Sequence, residues 1–307
     1  MATWIFQGNP KTFDIDGYLE QCDSSVTWLV RQHANNIGVG DTVFLWRSEG
    51  DGKLPGGIVA ELQVVEPVRV QADDPASVPF WRSKAGAAVG AETASRVRLR
   101  LIRLASKREV LKRDWLKEDA VLKNLAILKM AQQTNYPVTP AELLRLRALW
   151  ENTGRDWNRE ESVAALYAYD RSFGGPISKL EDSLVSQIAQ KIGRATGGVY
   201  NKLMNFRSLD PRPQQKGLDG SSSVDEAVWK EFFDVSANRL DSRRLSEEYE
   251  RLWGQAEAPP LAEPSNEALE TEAKRLERHG LQALIEGFNA GRTGPERPAR
   301  RVGTVAS

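Results

Sequence analysis

The first fifty residues constrain the fold most, because they set short apolar strands between tight turns and carry three tryptophans. Trp4 lies on an opening strand, Trp28 follows a helical turn, and Trp46 ends the strand that follows the tight turn at 38–41. Strands this short must pack against one another, which gathers indole rings and amide side chains. Stacked rings with amides at their edge suit a planar ligand. The sequence therefore predicts a small β-structure around an aromatic pocket.

Further along, the pattern predicts more strands and then a helix. Residues 44–46 and 56–65 are expected to pair across a loop rich in Gly and Pro. Residues 96–104 alternate between apolar residues and arginines, which predicts a strand with one arginine face. Pro140–Glu151 has helical spacing, and Thr139 is expected to cap it.

Several motifs occur in order over the first 150 residues: NPK, WLVRQ, LWRS, GGIVAELQVVEPV, PFWR and QTNYPVTPAELLRLRALW. This series resembles the EVE domain, a member of the PUA-like group that also includes the YTH readers of methylated adenine. The resemblance implies a small barrel with a pocket for a nucleobase turned out of the stack. In several bacterial relatives that base is a modified cytosine.

The resemblance also implies candidate site residues, and their chemistry agrees with it. Stacking is expected from Trp28 and Trp46, with Trp81 next, whereas Trp4 is expected in the core. A carboxamide matches a cytosine edge in its donors and acceptors. The candidates for the base edge are Asn9, Gln32, Ser48 and Asn135. Phosphate contact is expected from Arg47 and from two arginines of the strand face, Arg98 and Arg100.

The net charge does not indicate a nucleic-acid-binding protein, since 42 basic residues balance 42 acidic ones. The distribution is more informative: residues 96–113 carry eight Arg or Lys against one Glu, and residues 191–216 carry six against one Asp. Such stripes suit phosphate contact, although each equally fits a plain solvated surface. The single cysteine, Cys22, excludes a disulfide within the chain and a cysteine-based zinc site. We expect a soluble cytoplasmic protein without a cofactor.

The overall expectation is an α+β chain with three parts. Residues 1–152 form a PUA-like (EVE) β-barrel with flanking helices, 153–255 an all-α domain of helix-turn-helix type, and 256–307 a linker, a charged helix and a basic tail. In the second part, Thr196–Phe206 would be a recognition helix. The residues expected to face DNA are Arg194, Thr196, Tyr200, Asn201, Lys202 and Arg207. The alternative is a small helical bundle that does not touch DNA.

Residues 186–222 and the tail resemble the segment that precedes the HNH nuclease domain in many bacterial endonucleases. An HNH site needs a histidine base and further metal ligands, and the chain has only His33 and His279. Asp14 and Asp16 are expected to cap a short helix rather than bind a metal. We therefore expect no catalytic residue and no metal site in this chain.

The predicted function is a reader of 5-methylcytosine or 5-hydroxymethylcytosine in duplex DNA that flips the base into the pocket. It would be the specificity part of a modification-dependent restriction system, with an HNH nuclease domain or partner. Three alternatives remain open at this point. The same fold could bind RNA, the chain could be the front of an HNH endonuclease whose nuclease part lies downstream, or the pocket could take a free nucleoside.

Overall fold

The computed structural model of the protein describes residues 1–22, 24–50, 54–212 and 217–254. These residues belong to one compact unit, Met1–Gln255. The predicted helix at Ser265–Phe288, the tail at 291–307 and His279 lie outside the described residues. Within the described part of the chain, no helix is long and apolar enough to cross a membrane.

The described residues of the amino-terminal half form eight strands and five α-helices. The strands are β1 (Thr3–Gly8), β2 (Ser25–Leu29), β3 (Thr42–Arg47), β4 (Gly57–Val64), β5 (Arg69–Gln71), β6 (Ala94–Leu104), β7 (Leu111–Lys112) and β8 (Asn135–Pro137). The helices are α1 (Ile15–Gln21), α2 (Lys84–Ala91), α3 (Arg113–Lys117), α4 (Ala126–Lys129) and α5 (Pro140–Asn152). Two 3₁₀ turns lie at Pro75–Phe80 and Leu122–Asn124.

The eight strands form one curled sheet, a half-barrel whose path runs β2-β6-β4-β3-β1-β8. β5 pairs with β6 and β7 with β4 off this path. β1 and β3 are parallel, and the other pairs are antiparallel. The predicted pairing of 44–46 with 56–65 is confirmed. Because the path ends at β2 and β8, the barrel is open between these two strands.

Both faces of the central strands are buried, because side chains alternate between two cores. Trp4, Phe6 and Leu45 belong to a core inside the curl. Their neighbours Ile5 and Phe44 belong to a second core that also contains residues of α5. Each β1 and β3 residue is therefore assigned to one of two opposite surfaces of the sheet.

The predicted cap of α5 is confirmed. Thr139 accepts a hydrogen bond from the Glu142 backbone, and the Glu142 carboxylate accepts one from the Thr139 backbone. This reciprocal arrangement satisfies two backbone donors that the first helical turn would otherwise leave free. Asp14 caps α1 as predicted, since it accepts from the Gly17 amide at 3.3 Å. Asp16 does not cap it: it lies inside the helix and pairs with Arg47.

The described residues after α5 are mainly helical, with a two-stranded hairpin. Its elements are α6 (Arg159–Arg171), α7 (Leu184–Lys191), α8 (Thr196–Leu209), α9 (Ser223–Phe232), β9 (Phe233–Asp234), β10 (Arg239–Leu240) and α10 (Ser242–Tyr249), followed by a π-helical turn at Glu250–Gly254. Val199, Leu203 and Phe206 lie in its core, as the helical spacing predicts. The division near residue 152 stays a prediction.

Candidate functional site

A cavity of about 420 Å³ lies where the half-barrel is open, between β2 and the end of β1. Its volume falls in the range of about 300–1,000 Å³ that is typical of small-ligand sites. Its lining combines aromatic rings with a few polar and charged groups: Gln7, Gly8, Asn9, Thr12, Phe13, Thr27, Trp28, Leu29, Arg31, Asp73, Ser77, Trp81, Arg96, Gln132 and Thr134.

Three aromatic residues form the apolar wall of this cavity. The Phe13 ring lies edge-on to both indoles, with its centroid 6.1 Å from that of Trp28 and 4.8 Å from that of Trp81. A backbone bridge between Phe13 and Trp81 fixes the 3₁₀ turn against the start of α1. The wall is therefore set by contacts within the fold and presents ring surface to whatever enters.

Gly90 of α2 lies directly behind Trp81. A Cβ at Gly90 would be 2.5 Å from Trp81 Nε1, which is closer than side-chain atoms pack. At Gly198 of α8, in contrast, a Cβ would meet no atom within 4 Å. A methyl side chain therefore fits at Gly198 but not at Gly90, although helix propensity alone favours alanine at both positions.

We expect Gly90→Ala to displace the Trp81 ring, and Gly198→Ala to leave the cavity unchanged. Overpacking of this kind costs about 1–3 kcal/mol, whereas an unhindered helical glycine gains up to about 1 kcal/mol as alanine. Melting temperature and near-ultraviolet circular dichroism report the two effects. A Gly90→Ala protein with an unchanged tryptophan spectrum and a raised melting temperature would contradict this packing.

The outer edge of β2 carries backbone groups that do not bond to β6, and this edge faces the cavity. Val30 N donates to Ser95 O and Leu101 N donates to Ser24 O, so the even-numbered β2 residues bond to β6. The odd-numbered residues Thr27 and Leu29 therefore point their N–H and C=O groups away from β6. Both residues line the cavity.

Two of these four edge groups are engaged. The Thr27 N–H donates to the Tyr18 hydroxyl, and Asn135 Nδ2 donates to the Leu29 carbonyl. Burial raises the pKa of Tyr18 to about 12, so this hydroxyl stays neutral at ordinary pH. Among the described residues, the Thr27 carbonyl and the Leu29 amide have no hydrogen-bond partner. They present one acceptor and one donor beside the aromatic wall.

Charged side chains complete the cavity. The Asp73 carboxylate lies 3.7 Å from the buried guanidinium of Arg96, and Asp73 Oδ2 accepts from the Ser77 hydroxyl at 2.9 Å. Arg31 is exposed, and it forms no ion pair with any residue that the structure describes. Its guanidinium is thus available to an anionic group near the opening. Groups of three or more metal-ligating side chains are absent from the described residues.

One family of known proteins matches this part of the chain, and its description is EVE domain, over residues 2–149. Residues 2–149 are an EVE domain. The cavity and its aromatic wall lie wholly within it, whereas α6 to α10 lie outside the match. No curated protein matches the chain in sequence.

Solved structures similar to the chain cover about half of it. A hypothetical protein from Leishmania major is 20% identical, with a TM-score of 0.37, and the match covers 50% of this chain and 98% of that one. Human THYN1, solved in complex with DNA containing 5-methylcytosine, is 16% identical, with a TM-score of 0.36 and coverage of 50% and 99%. A Pseudomonas syringae protein is 20% identical, with a TM-score of 0.35 and coverage of 48% and 98%.

Two of the amides proposed for a base edge instead hold the EVE domain together. Asn135 Oδ1 accepts from the Arg31 and Gln32 amides at 2.9 and 3.3 Å. In return, Gln32 Oε1 accepts from the Thr134 and Asn135 amides at 2.9 and 3.3 Å. This reciprocal pair ties the end of β2 to β8 across the opening. Gln32 and Asn135 thus position the cavity rim without lining the cavity.

The other two predicted edge residues divide between the rim and the interior. Asn9 is exposed and lines the cavity, and its side chain accepts from the Lys11 amide. Ser48 does not line the cavity, and its hydroxyl accepts from Gln7 Nε2 at 2.8 Å. Of these two residues only Gln7 lines the cavity, and it was not among the predicted site residues. Its Oε1 accepts a hydrogen bond from the Tyr136 hydroxyl.

The structure corrects the placement of Trp46 and Arg47. Trp46 is only 4% exposed and packs with Ile58 in the core on the opposite face of the sheet from the cavity. The Arg47 side chain is also buried, and it donates to Asp16 at 2.5 Å and to the Pro55 carbonyl. Neither residue reaches a ligand in the cavity, because each is enclosed by its own partners.

Arg98 and Arg100 lie on β6 opposite two residues of the β2 strand. Arg98 is across from Thr27 and donates to the Ser25 hydroxyl at 2.8 Å, with Asp74 at 4.0 Å. Arg100 is exposed and donates to Gln63 Oε1 at 2.5 Å. Their role in phosphate contact stays a prediction, and partial exposure next to the cavity strand is compatible with it.

Three of the predicted DNA contacts of the helical region are buried. Arg194 is 7% exposed, and its guanidinium donates hydrogen bonds to the Glu161 carboxylate and to three backbone carbonyls. Thr196 is 1% exposed. Lys202 is 6% exposed and lies 2.7 Å from Asp225. These side chains cannot face a groove, so the start of α8 does not act as a recognition surface in the predicted way.

The remaining candidates of α8 are more accessible. Asn201 is exposed, and Tyr200 and Arg207 are half-buried. The Tyr200 ring lies under the Lys179 ammonium, 5.6 Å from its centroid. A contribution of these three residues to DNA binding stays a prediction.

Proposed function

We propose that the cavity of the EVE domain receives one nucleobase turned out of duplex DNA, with a 5-modified cytosine as the preferred base. The observation that carries this proposal is the wall of Phe13, Trp28 and Trp81 beside the open edge of β2. An aromatic wall accepts the flat face of any base. A free backbone donor and acceptor at its side can distinguish one base edge from another.

The groups of the cavity can offset the free-energy cost of turning one base out of the duplex. Unstacking and unpairing one base costs a few kcal/mol. Stacking on an aromatic side chain returns about 1–3 kcal/mol, and hydrogen bonds at the Thr27 carbonyl and the Leu29 amide add to it. A buried methyl group contributes only about 0.8 kcal/mol. Preference for a methylated cytosine therefore depends on how closely the wall fits the 5-position.

Contacts to phosphate would supply affinity without sequence preference. Arg31 lies near the cavity opening, and Arg98 and Arg100 lie on the strand next to β2. Each neutralised phosphate makes binding more sensitive to salt, by a slope of about −0.9 in a plot of log K against log salt. The chain itself acts by binding. In this proposal it is the specificity part of a modification-dependent restriction system, with an HNH nuclease domain or partner as the cutting component.

The test is a binding panel with one target base in an otherwise constant duplex. The target is cytosine, 5-methylcytosine, 5-hydroxymethylcytosine or 6-methyladenine, placed opposite either its normal partner or an abasic site. 5-Methylcytosine comes first because it is the base in the DNA bound by human THYN1. We expect the modified cytosines to bind most tightly, and more tightly opposite the abasic site, because no pair must be broken there.

Two results of this panel would contradict the proposal. Equal affinity for all targets would remove the case for base reading, and equal affinity opposite guanine and opposite an abasic site would argue against extrusion. Single-stranded RNA of the same sequence serves as the competitor for the RNA alternative. An affinity that does not change with salt, and that is the same for the duplex and for the free nucleoside, would favour the small-molecule alternative.

A further inference from the structure

The strongest acceptor in the cavity is a carboxylate that the sequence motifs did not indicate. Asp73 follows β5, and its side chain is only 10% exposed although it lines the cavity. Asp73 is distant from Trp28 in the sequence but lines the same cavity, and the 3₁₀ turn at Pro75–Phe80 starts just after it. A charged acceptor in an aromatic cavity has a strong effect on which ligand atoms can enter.

Asp73 has hydrogen-bonding capacity left over. An ionised carboxylate offers about four acceptor sites. Oδ1 accepts from the Asp74 amide at 3.0 Å, and Oδ2 accepts from the Ser77 hydroxyl at 2.9 Å. The nearest guanidinium nitrogen of Arg96 is 3.7 Å away, which is beyond hydrogen-bonding distance. The two bonds that it accepts hold the carboxylate in place without saturating it.

Arg96 is itself oriented by other groups. Its Nη2 donates to the Gly90 and Glu92 carbonyls at 3.1 and 3.2 Å. The guanidinium therefore does not depend on Asp73 for its position. At 3.7 Å it balances the charge of the carboxylate, and the carboxylate keeps acceptor sites for a ligand.

We infer that Asp73 selects bases that carry an exocyclic amino group at this position over bases that carry an oxo group. This inference rests on the proposed function of the cavity. An amino group, as in cytosine, donates to the carboxylate. An oxo group, as in thymine, would place its own lone pairs against a negative charge and lose its water without a replacement bond. The Thr27 carbonyl, also an acceptor, acts in the same direction.

The pair of bases that isolates this effect is 5-methylcytosine and thymine. Both carry the same 5-methyl group, and they differ at the 4-position and in protonation at N3. Each is placed opposite an abasic site, so that neither has a pair to break. We expect the wild-type protein to bind the 5-methylcytosine duplex at least about tenfold more tightly than the thymine duplex. In Asp73→Asn the two affinities should differ by no more than about threefold.

Asp74→Asn is the matched control, because it removes one negative charge at the adjacent residue, which does not line the cavity. It is expected to keep the full preference for 5-methylcytosine. Equal preference in Asp73→Asn and Asp74→Asn would overturn the assignment of Asp73, even if both still bind a modified base. If the wild-type protein bound no duplex with an unpaired base, that result would instead count against the proposed function.

Melting temperatures show whether Asp73→Asn is folded. If it is not, a second measurement on the unmodified protein decides the matter, with 5-methylpyrimidin-2-one as the target base. This base lacks any group at the 4-position. A loss of about tenfold relative to 5-methylcytosine supports an acceptor that bonds the amino group, and equal binding overturns the inference.

Discussion

Trp28→Ala is expected to reduce the affinity for a duplex with an unpaired 5-methylcytosine by about 5- to 150-fold. The reason is that stacking on an aromatic side chain is worth about 1–3 kcal/mol. The same change removes a side chain that is 7% exposed and packs against Phe13. Truncation of a buried tryptophan costs about 3–5 kcal/mol of stability. Affinity is therefore measured by titration well below the melting temperature of the variant.

Trp46→Ala is the control for this loss of stability. Trp46 is equally buried, on the same sheet, but it packs on the face away from the cavity. We expect both variants to be destabilised by a similar amount, and only Trp28→Ala to lose affinity for the duplex with the unpaired 5-methylcytosine. If the two variants bound alike, the ring of Trp28 would have no part in holding a ligand.

Lys202→Met is expected to lower the free energy of unfolding by about 3–5 kcal/mol, because it leaves a buried carboxylate without its cation. Asp225 is 0% exposed, and the Lys202 ammonium lies 2.7 and 2.9 Å from its two oxygens. Denaturant unfolding measures this change. In the same protein the salt dependence of DNA binding should not change, since a buried ammonium contacts no phosphate.

Asn201→Ala is the companion variant, because Asn201 is the exposed neighbour of Lys202 on α8. It is expected to change stability by less than about 0.5 kcal/mol. A Lys202→Met protein of normal stability whose salt slope falls by about 0.9 would restore the original prediction of a phosphate contact.

The sequence predicted the half-barrel well because strand alternation and turns are local signals. It also singled out Trp28 and Trp81, which line the cavity; their contact with a base stays a prediction. It failed at Trp46 because alternation states that neighbours lie on opposite faces of a strand, and does not state which face bounds a cavity. Phe44 and Trp46 are in one core, and Val43 and Leu45 are in the other.

The polar part of the site could not be predicted in the same way. Gln32 and Asn135 are bonded to each other's backbone across 103 residues, and nothing near either residue signals that contact. Asp73 lies in a loop without a motif. Lys202 is different, because it is three residues after Val199 and next to Leu203 on the apolar side of α8. Helical spacing places it on the buried side, although its charge led to its assignment as a DNA contact.

The proposed function requires a base to leave the duplex and enter the cavity of the EVE domain. A crystal structure of the protein with a duplex carrying one 5-methylcytosine tests it most directly. We expect the methylated base to stack on the wall of Phe13, Trp28 and Trp81, with its edge at the Thr27 carbonyl, the Leu29 amide and Asp73. A bound duplex with every base still stacked, and the cavity filled only by water, would contradict it.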